Sequence, residues 1–221
     1  MSKKRLKFSK TGMGKFISHL DLLRTFTRAI HRADLPVRYS QGFNPHQLIT
    51  FSLPLPIGVT SETEFVDIDF EDTVTDAEIM DKLNENLPPD IKILAVSAVS
   101  CKANDIVAAR YMIEINAKVI FDKDKIENFF NQENIPAVKK TKKGEKEVNL
   151  REYIRVWNLV DLDGKSASFD ITLSAGGAAN IKPDILLAKL CEFLGENEFE
   201  SYNIHRTEIL YESGAEIKKF C

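Results

Sequence analysis

Cysteine is scarce in this chain: 221 residues hold three, Cys101, Cys191 and Cys221. An odd number so widely spread argues against a disulfide framework and fits a reducing interior. Long apolar runs are missing too. Nothing approaches the roughly 18 consecutive apolar residues of a membrane helix, so no membrane span is expected. The opening MSKKRLKFSK has no apolar segment behind its charges, which argues against a secretory signal and makes the cytoplasm the expected compartment. His19, His31 and His46 form no His-x-x-x-His pair and no other recognisable zinc pattern with carboxylates or thiols. No metal and no cofactor are therefore expected.

What the chain does hold is charge, unevenly placed. Residues 1–46 carry ten Lys or Arg against Asp21 and Asp34, and residues 61–90 carry eleven acids against Lys82, within a net charge of −3. A basic stretch gathered on one surface raises the local field and collects phosphate polyanions. RNA is the expected partner. Opposite charges that pair across the fold, or simply face water, would produce the same pattern.

The periodicities predict an α+β protein of two consecutive ferredoxin-like units, each β-α-β-β-α-β, at 1–104 and 110–221. In the first, a strand over Arg5–Ser9 leads through a glycine-bearing turn to a helix over His19–Ala33, capped by Ser18 with Asp21 in its first turn. Leu20, Leu23, Phe26 or Thr27, and Ile30 recur at helical spacing, leaving Arg24, Arg28, His31 and Arg32 around the other side. An apolar run, Leu48–Leu53, precedes a strand over Glu64–Phe70, in which Val66, Ile68 and Phe70 alternate with Phe65, Asp67 and Asp69. One face should be apolar and the other largely acidic. Thr75 and Glu78 form a capping-box pattern before a helix with Ala77, Met80, Leu83 and Leu87 on one face, and a last strand covers Lys92–Ser100.

The second half repeats the order with weaker boundaries. Strands are expected over Tyr111–Ile120, around Ala137–Lys140, and over Glu147–Tyr153, Ser166–Ser174 and Tyr202–Tyr211, with helices over Lys123–Asn131 and Pro183–Leu194. Thr141-Lys142-Lys143-Gly144-Glu145 reads as a basic turn. Ser174-Ala-Gly-Gly-Ala-Ala-Asn180 joins a strand to a helix, so Gly176, Gly177 and Lys182 are candidates for holding an anion. The spacing matches neither the P-loop nor the dinucleotide fingerprint, and most such loops only turn the chain.

The least ordinary segment is Tyr39-Ser-Gln-Gly-Phe-Asn-Pro-His46. Gly42 permits positive φ, Asn44-Pro45 favours a turn, and the polar tips of Tyr39, Ser40, Gln41, Asn44 and His46 crowd a short span. Such a loop can present donors to an RNA backbone and Phe43 or Tyr39 to an unstacked base. A tight crossover whose Phe43 plugs the core is the alternative. His19 and His31 read as surface residues. His46 is the one candidate proton carrier.

Three stretches carry a family resemblance: Phe16-Ile-Ser-His-Leu-Asp-Leu-Leu-Arg24, the segment Tyr39–His46, and Leu55-Pro-Ile-Gly-Val59. They resemble the uncharacterised bacterial family of radical-SAM-linked proteins. Asn149-Leu-Arg-Glu-Tyr-Ile154 and the stretch leading to Lys182-Pro183 agree more loosely. Gln47 and Glu152 stand where proline is expected in relatives, which loosens the local backbone. The resemblance implies a protein encoded beside, or fused behind, a radical SAM enzyme, with no established activity of its own. The chain has no Cys-x-x-x-Cys-x-x-Cys, so another polypeptide would carry the iron–sulfur cluster. The element order is also similar to that of tandem ferredoxin-like RNA-processing proteins of the Cas6 type, an analogy of fold alone.

These readings converge on an accessory RNA-binding protein acting with a radical SAM enzyme. Lys15, Arg24, Arg28, Arg32 and Arg38 would contact phosphates, and Tyr39, Gln41, Phe43, Asn44 and His46 would supply local recognition. Two alternatives stand beside it. One is a protein-interaction scaffold whose acidic segment, Glu62–Glu85, docks a basic partner. The other is a metal-independent RNA-processing enzyme with His46 moving the proton.

Overall fold

Buried apolar side chains at alternate positions, Leu6 and Phe8, turn the basic amino-terminal segment into a sheet strand. The structure, a computed structural model, describes residues 2–71, 73–141, 144–195 and 199–221. By compactness the chain divides into one unit of residues 1–106 with 219–221, and a second of residues 107–218.

The first unit runs β1 (Ser2–Lys10), α1 (His19–Arg32), β2 (Ile49–Phe51), β3 (Val59–Phe70), α2 (Asp76–Asn86) and β4 (Ile91–Ala98). Its strands lie in the order β4-β1-β3-β2. Every neighbouring pair is antiparallel. Helix α1 starts where Ser18 Oγ accepts from the Asp21 N–H at 3.2 Å, and α2 where Thr75 and Glu78 complete a capping box. Leu22, Phe26, Ala29 and Ile30 from α1 meet Ile79 and Leu83 from α2 over Leu6, Phe8, Val66, Ile68 and Phe70. Phe26 makes edge-to-face contacts with Phe8 and Phe51 at 5.2 and 5.4 Å.

Three expectations for this unit need correction. On α1 the buried face is Leu22, Phe26, Ala29 and Ile30, whereas Leu20 is exposed. The second face of β3 is covered, because Phe65 and Asp67 are buried as well as Val66, Ile68 and Phe70. Arg5 lies opposite Asp67 in the β1–β3 register and supplies the charge that makes burial of the acid tolerable. On α2 the buried face centres on Ile79 and Leu83, whereas Ala77 is exposed.

The second unit runs β5 (Ile106–Asn116), α3 (Lys123–Phe130), β6 (Pro136–Thr141), β7 (Gly144–Asn149), β8 (Ile154–Asp163), β9 (Ser166–Ser174), α4 (Pro183–Phe193), β10 (Ser201–Ser213) and β11 (Glu216–Lys219). Four strands follow the order β10-β5-β9-β8, β11 pairs with β10, and β6 with β7 forms a separate hairpin. The expected strand over Glu147–Tyr153 is instead the end of β7 followed by a 3-10 turn, Leu150–Tyr153, and β8 begins beyond it. Register shifts at Ile154/Val156 and Leu159/Asp161 break the alternation that would have revealed β8. Trp157 of β8 stacks on Phe130 of α3, ring centroids 4.4 Å apart. Of the expected basic turn, Lys142 and Lys143 lie outside the described residues.

The molecule is thus mixed α+β, with mostly antiparallel sheet and four α-helices among the described residues. No helix among them is long and apolar enough to cross a membrane.

Candidate nucleic-acid interface

The segment after α1 runs along the end of β3 before it leaves the sheet. Arg38 donates its N–H to the Asp69 carbonyl at 2.9 Å, and Val37 bridges to Phe70. Tyr39 and Gln47 then form an antiparallel bridge, while Ser40 N–H donates to the His46 carbonyl at 2.8 Å. Ser40 Oγ accepts from the His46 N–H at 3.1 Å and lies 2.8 Å from His46 Nδ1. The hydroxyl holds both the backbone N–H and the ring of His46, which fixes the ring's orientation at the neck of the loop. A loop pinned at its neck results, with Gly42 at φ 132° and Gln41 to Pro45 exposed. Phe43 does not plug the core: it is fully exposed, at 106%.

Between this loop and α1 lies a cleft of about 430 Å³. Leu23, Thr27 and His31, at i, i+4 and i+8 of α1, form one wall; Tyr39, Pro45, His46 and Gln47 form the other, with Ile49 of β2. His31 is therefore more than a scattered surface residue, since it shares the cleft with His46.

Arg24, Arg28 and Arg32 have the same i, i+4, i+8 spacing and form the adjacent ridge of α1, about 12 Å long. All three side chains are exposed. Arg24 donates to Asp21 at 2.8 Å, with both side chains more than half exposed at 67% and 57%. An exposed pair of this kind is weak and screened by solvent, so it leaves the guanidinium accessible. Arg32 donates to the Asn86 carbonyl and ties the end of α1 to α2. Arg38 is exposed at the foot of the loop.

Lys15 sits apart from the cleft lining, in the 3-10 turn Gly12–Phe16 that precedes α1, with Nζ 5.3 Å from the Phe16 ring centre. That turn is held by Asp90, whose carbonyl accepts from the Thr11 N–H at 2.9 Å and whose Oδ2 accepts from the Gly14 N–H at 3.1 Å. Gly176, Gly177 and Lys182 belong to the second unit. At the two ends of that loop the Ser174 carbonyl accepts from Ile181 N–H, and the Asn180 carbonyl accepts from Lys139.

Sequence reasoning does not assign Leu23, Thr27, His31, Gln47 or Ile49 to the site. The helical spacing of Leu23, Thr27 and His31 is visible in the chain, but only the docking of the loop turns that strip into a cleft wall.

Residues 3–183 match the family described as an uncharacterized protein conserved in bacteria (DUF2344), and the chain belongs to that family. No curated protein matches it. Among solved structures it is similar to a chain in the crystal structure of a Cbf5-Nop10-Gar1 complex, at 10% identity, covering 93% of this chain and 48% of the other, with a TM-score of 0.53. It is also similar to a chain in the structure of an H/ACA RNP bound to a substrate RNA containing 2'-deoxyuridine, at 10% identity, 94% and 47% coverage, and a TM-score of 0.52. At that identity the likeness is one of fold, and this chain spans about half the length of the chains it matches.

Proposed function

We propose that this protein is an accessory RNA-binding protein whose interface is the α1 ridge together with the Tyr39–His46 loop. The observation that carries the reading is a juxtaposition: an exposed arginine ridge adjoins a helix strip that forms one wall of a cleft, and the other wall belongs to a loop with a fully exposed Phe43. Arginines position a phosphate backbone, and aromatic rings stack on unpaired bases. Both units take a ferredoxin-like arrangement in this reading, the second with the β6–β7 hairpin inserted. The fold likeness to a chain of an RNP bound to a substrate RNA supports an RNA partner. The radical SAM enzyme remains the proposed second partner, resting on the sequence resemblance. Replacing Arg24, Arg28, Arg32 and Arg38 by Gln should weaken RNA binding; unchanged binding would reject the interface.

A second reading, metal-independent RNA processing, is favoured by the two imidazoles that line one cleft, since an acid and a base acting together need such convergence. His46→Ala and His31→Ala should each slow turnover of a substrate RNA, and equal turnover would dismiss it. A scaffold docked through the acidic segment would use Glu62, Glu71, Glu78, Asp81 and Glu85, which are exposed, and not Glu64 or Asp67, which are buried.

A further inference from the structure

The cleft between α1 and the loop has a second feature that a phosphate-binding ridge does not need. Gln47 lines it, is only 7% exposed, and leaves Oε1 buried without a hydrogen-bond partner. Its Nε2 reaches only the Tyr39 hydroxyl, at 3.5 Å, the outer limit of a hydrogen bond. A buried carbonyl oxygen without a donor costs about 1–3 kcal/mol, and a native protein keeps such a group where something else satisfies it. The terminal torsion of glutamine is soft, so the amide can turn toward a ligand seated in the cleft.

The rest of the lining narrows the class of ligand. Leu23, Ile49 and Pro45 are apolar, Tyr39 is aromatic, and Gln47, His31 and His46 are the lining residues with an amide or imidazole to offer. Volume near 430 Å³ lies in the range of small-molecule sites. Apolar walls exclude a bare phosphate as the favoured occupant, since a dianion would lose its hydration there. A flat heterocycle with a donor beside an acceptor on one edge fits both the walls and the amide, which is how glutamine reads adenine.

We propose that the cleft is a pocket for a single unstacked nucleobase, paired along its edge by Gln47 and met by the ring of His46. The inference rests on the RNA-binding reading and deepens it: the arginine ridge holds the backbone while this pocket receives one base.

The test is an NMR titration of the full chain with adenosine 5′-monophosphate and, separately, ribose 5-phosphate, following the imidazole signals of His31 and His46. Adenosine 5′-monophosphate should shift both signals, ribose 5-phosphate should leave them in place, and Thr27→Trp should abolish the shifts by filling the cleft. Thr27 is exposed on α1, so that variant tests the pocket with little risk to folding. Gln47→Met should weaken the nucleotide response at least tenfold while leaving the arginine ridge intact. Unmoved signals, or equal shifts with ribose 5-phosphate, would overturn the pocket.

Binding of an oligoadenylate RNA, measured in parallel, separates the pocket from the ridge. RNA binding that persists without nucleotide shifts rejects the pocket and keeps the ridge. Nucleotide shifts without RNA binding keep the pocket and reject the ridge.

Discussion

Arg5 and Asp67 face each other across β1 and β3 as a fork-on-fork pair, with Nε donating to Oδ1 at 2.8 Å and Nη2 to Oδ2 at 2.9 Å. Both are almost wholly buried, Arg5 at 1% and Asp67 at 6% exposure. Nη1 is also satisfied, by the Cys221 carbonyl at 2.8 Å and Cys101 Sγ at 3.0 Å, and Phe220 lies under the guanidinium at 4.3 Å. Burial by itself would lower the pKa of Arg5, but the hydrogen bond and charge of Asp67, joined by Cys101, outweigh it and hold the group above its ordinary value. Part of the charge asymmetry in the sequence is therefore internal pairing. The pair keeps Arg5 out of any nucleic-acid surface and leaves the α1 arginines to form one.

Removing one partner strands the other charge inside the sheet. Asp67→Asn should destabilise the chain by about 3–5 kcal/mol, while Arg5→Met with Asp67→Leu should recover most of that loss. Urea unfolding of Asp67→Asn and of the double variant checks it. Equal losses in the single and double variants would contradict the account.

How far the sequence foretells this structure depends on the range of the interaction. The caps of α1 and α2 are legible because Ser18 with Asp21, and Thr75 with Glu78, act within one turn. The burial of the acid on β3 is not, because Arg5, which neutralises it, stands 62 residues away. The loop's strangeness is visible in its residue types. Its cleft is hidden, because Gln47, His31 and Leu23 come together only when the loop neck closes on α1.

The turn before α1 should be intolerant of a side chain at Gly12. Its φ is +50°, and an added Cβ would stand 2.6 Å from Asp90 Oδ1. The left-handed conformation alone costs an alanine about 1–2 kcal/mol. Displacing Asp90 would also weaken its bond from the Gly14 N–H. Gly12→Ala should lower the melting temperature by several degrees, whereas Gly12→Asn, with its local hydrogen bonding, should lower it less.

Acid should loosen the helix starts. Asp21 is held below its ordinary value of 3.8 by the Ser18 hydroxyl and then Arg24, and Glu78 below 4.5 by the backbone and hydroxyl of Thr75. With lowered values in the folded state, these carboxylates stabilise the chain fully above their ordinary values, and that contribution is lost as pH falls through the lowered ones. Both groups are exposed, so the effect is small. Asp21→Asn and Glu78→Gln together should flatten the fall in unfolding free energy below pH 4.5, measured by denaturant titration at each pH.

Phe43 has no packing role to lose. Phe43→Ala should leave stability within about 0.5 kcal/mol, as for other exposed sites. Its affinity for single-stranded RNA should fall by about 1–3 kcal/mol, the usual worth of one stacked base. Circular dichroism melts and fluorescence anisotropy with a labelled oligomer separate these effects.

The most direct test of the proposed interface is the salt dependence of RNA binding by the intact chain and by the variant with Arg24, Arg28, Arg32 and Arg38 changed to Gln. If those side chains hold the backbone, the slope of log affinity against log salt should become shallower by about 0.7 for each phosphate left without its arginine, with affinity falling in step. Equal slopes and equal affinities in the two proteins would contradict the proposed RNA interface.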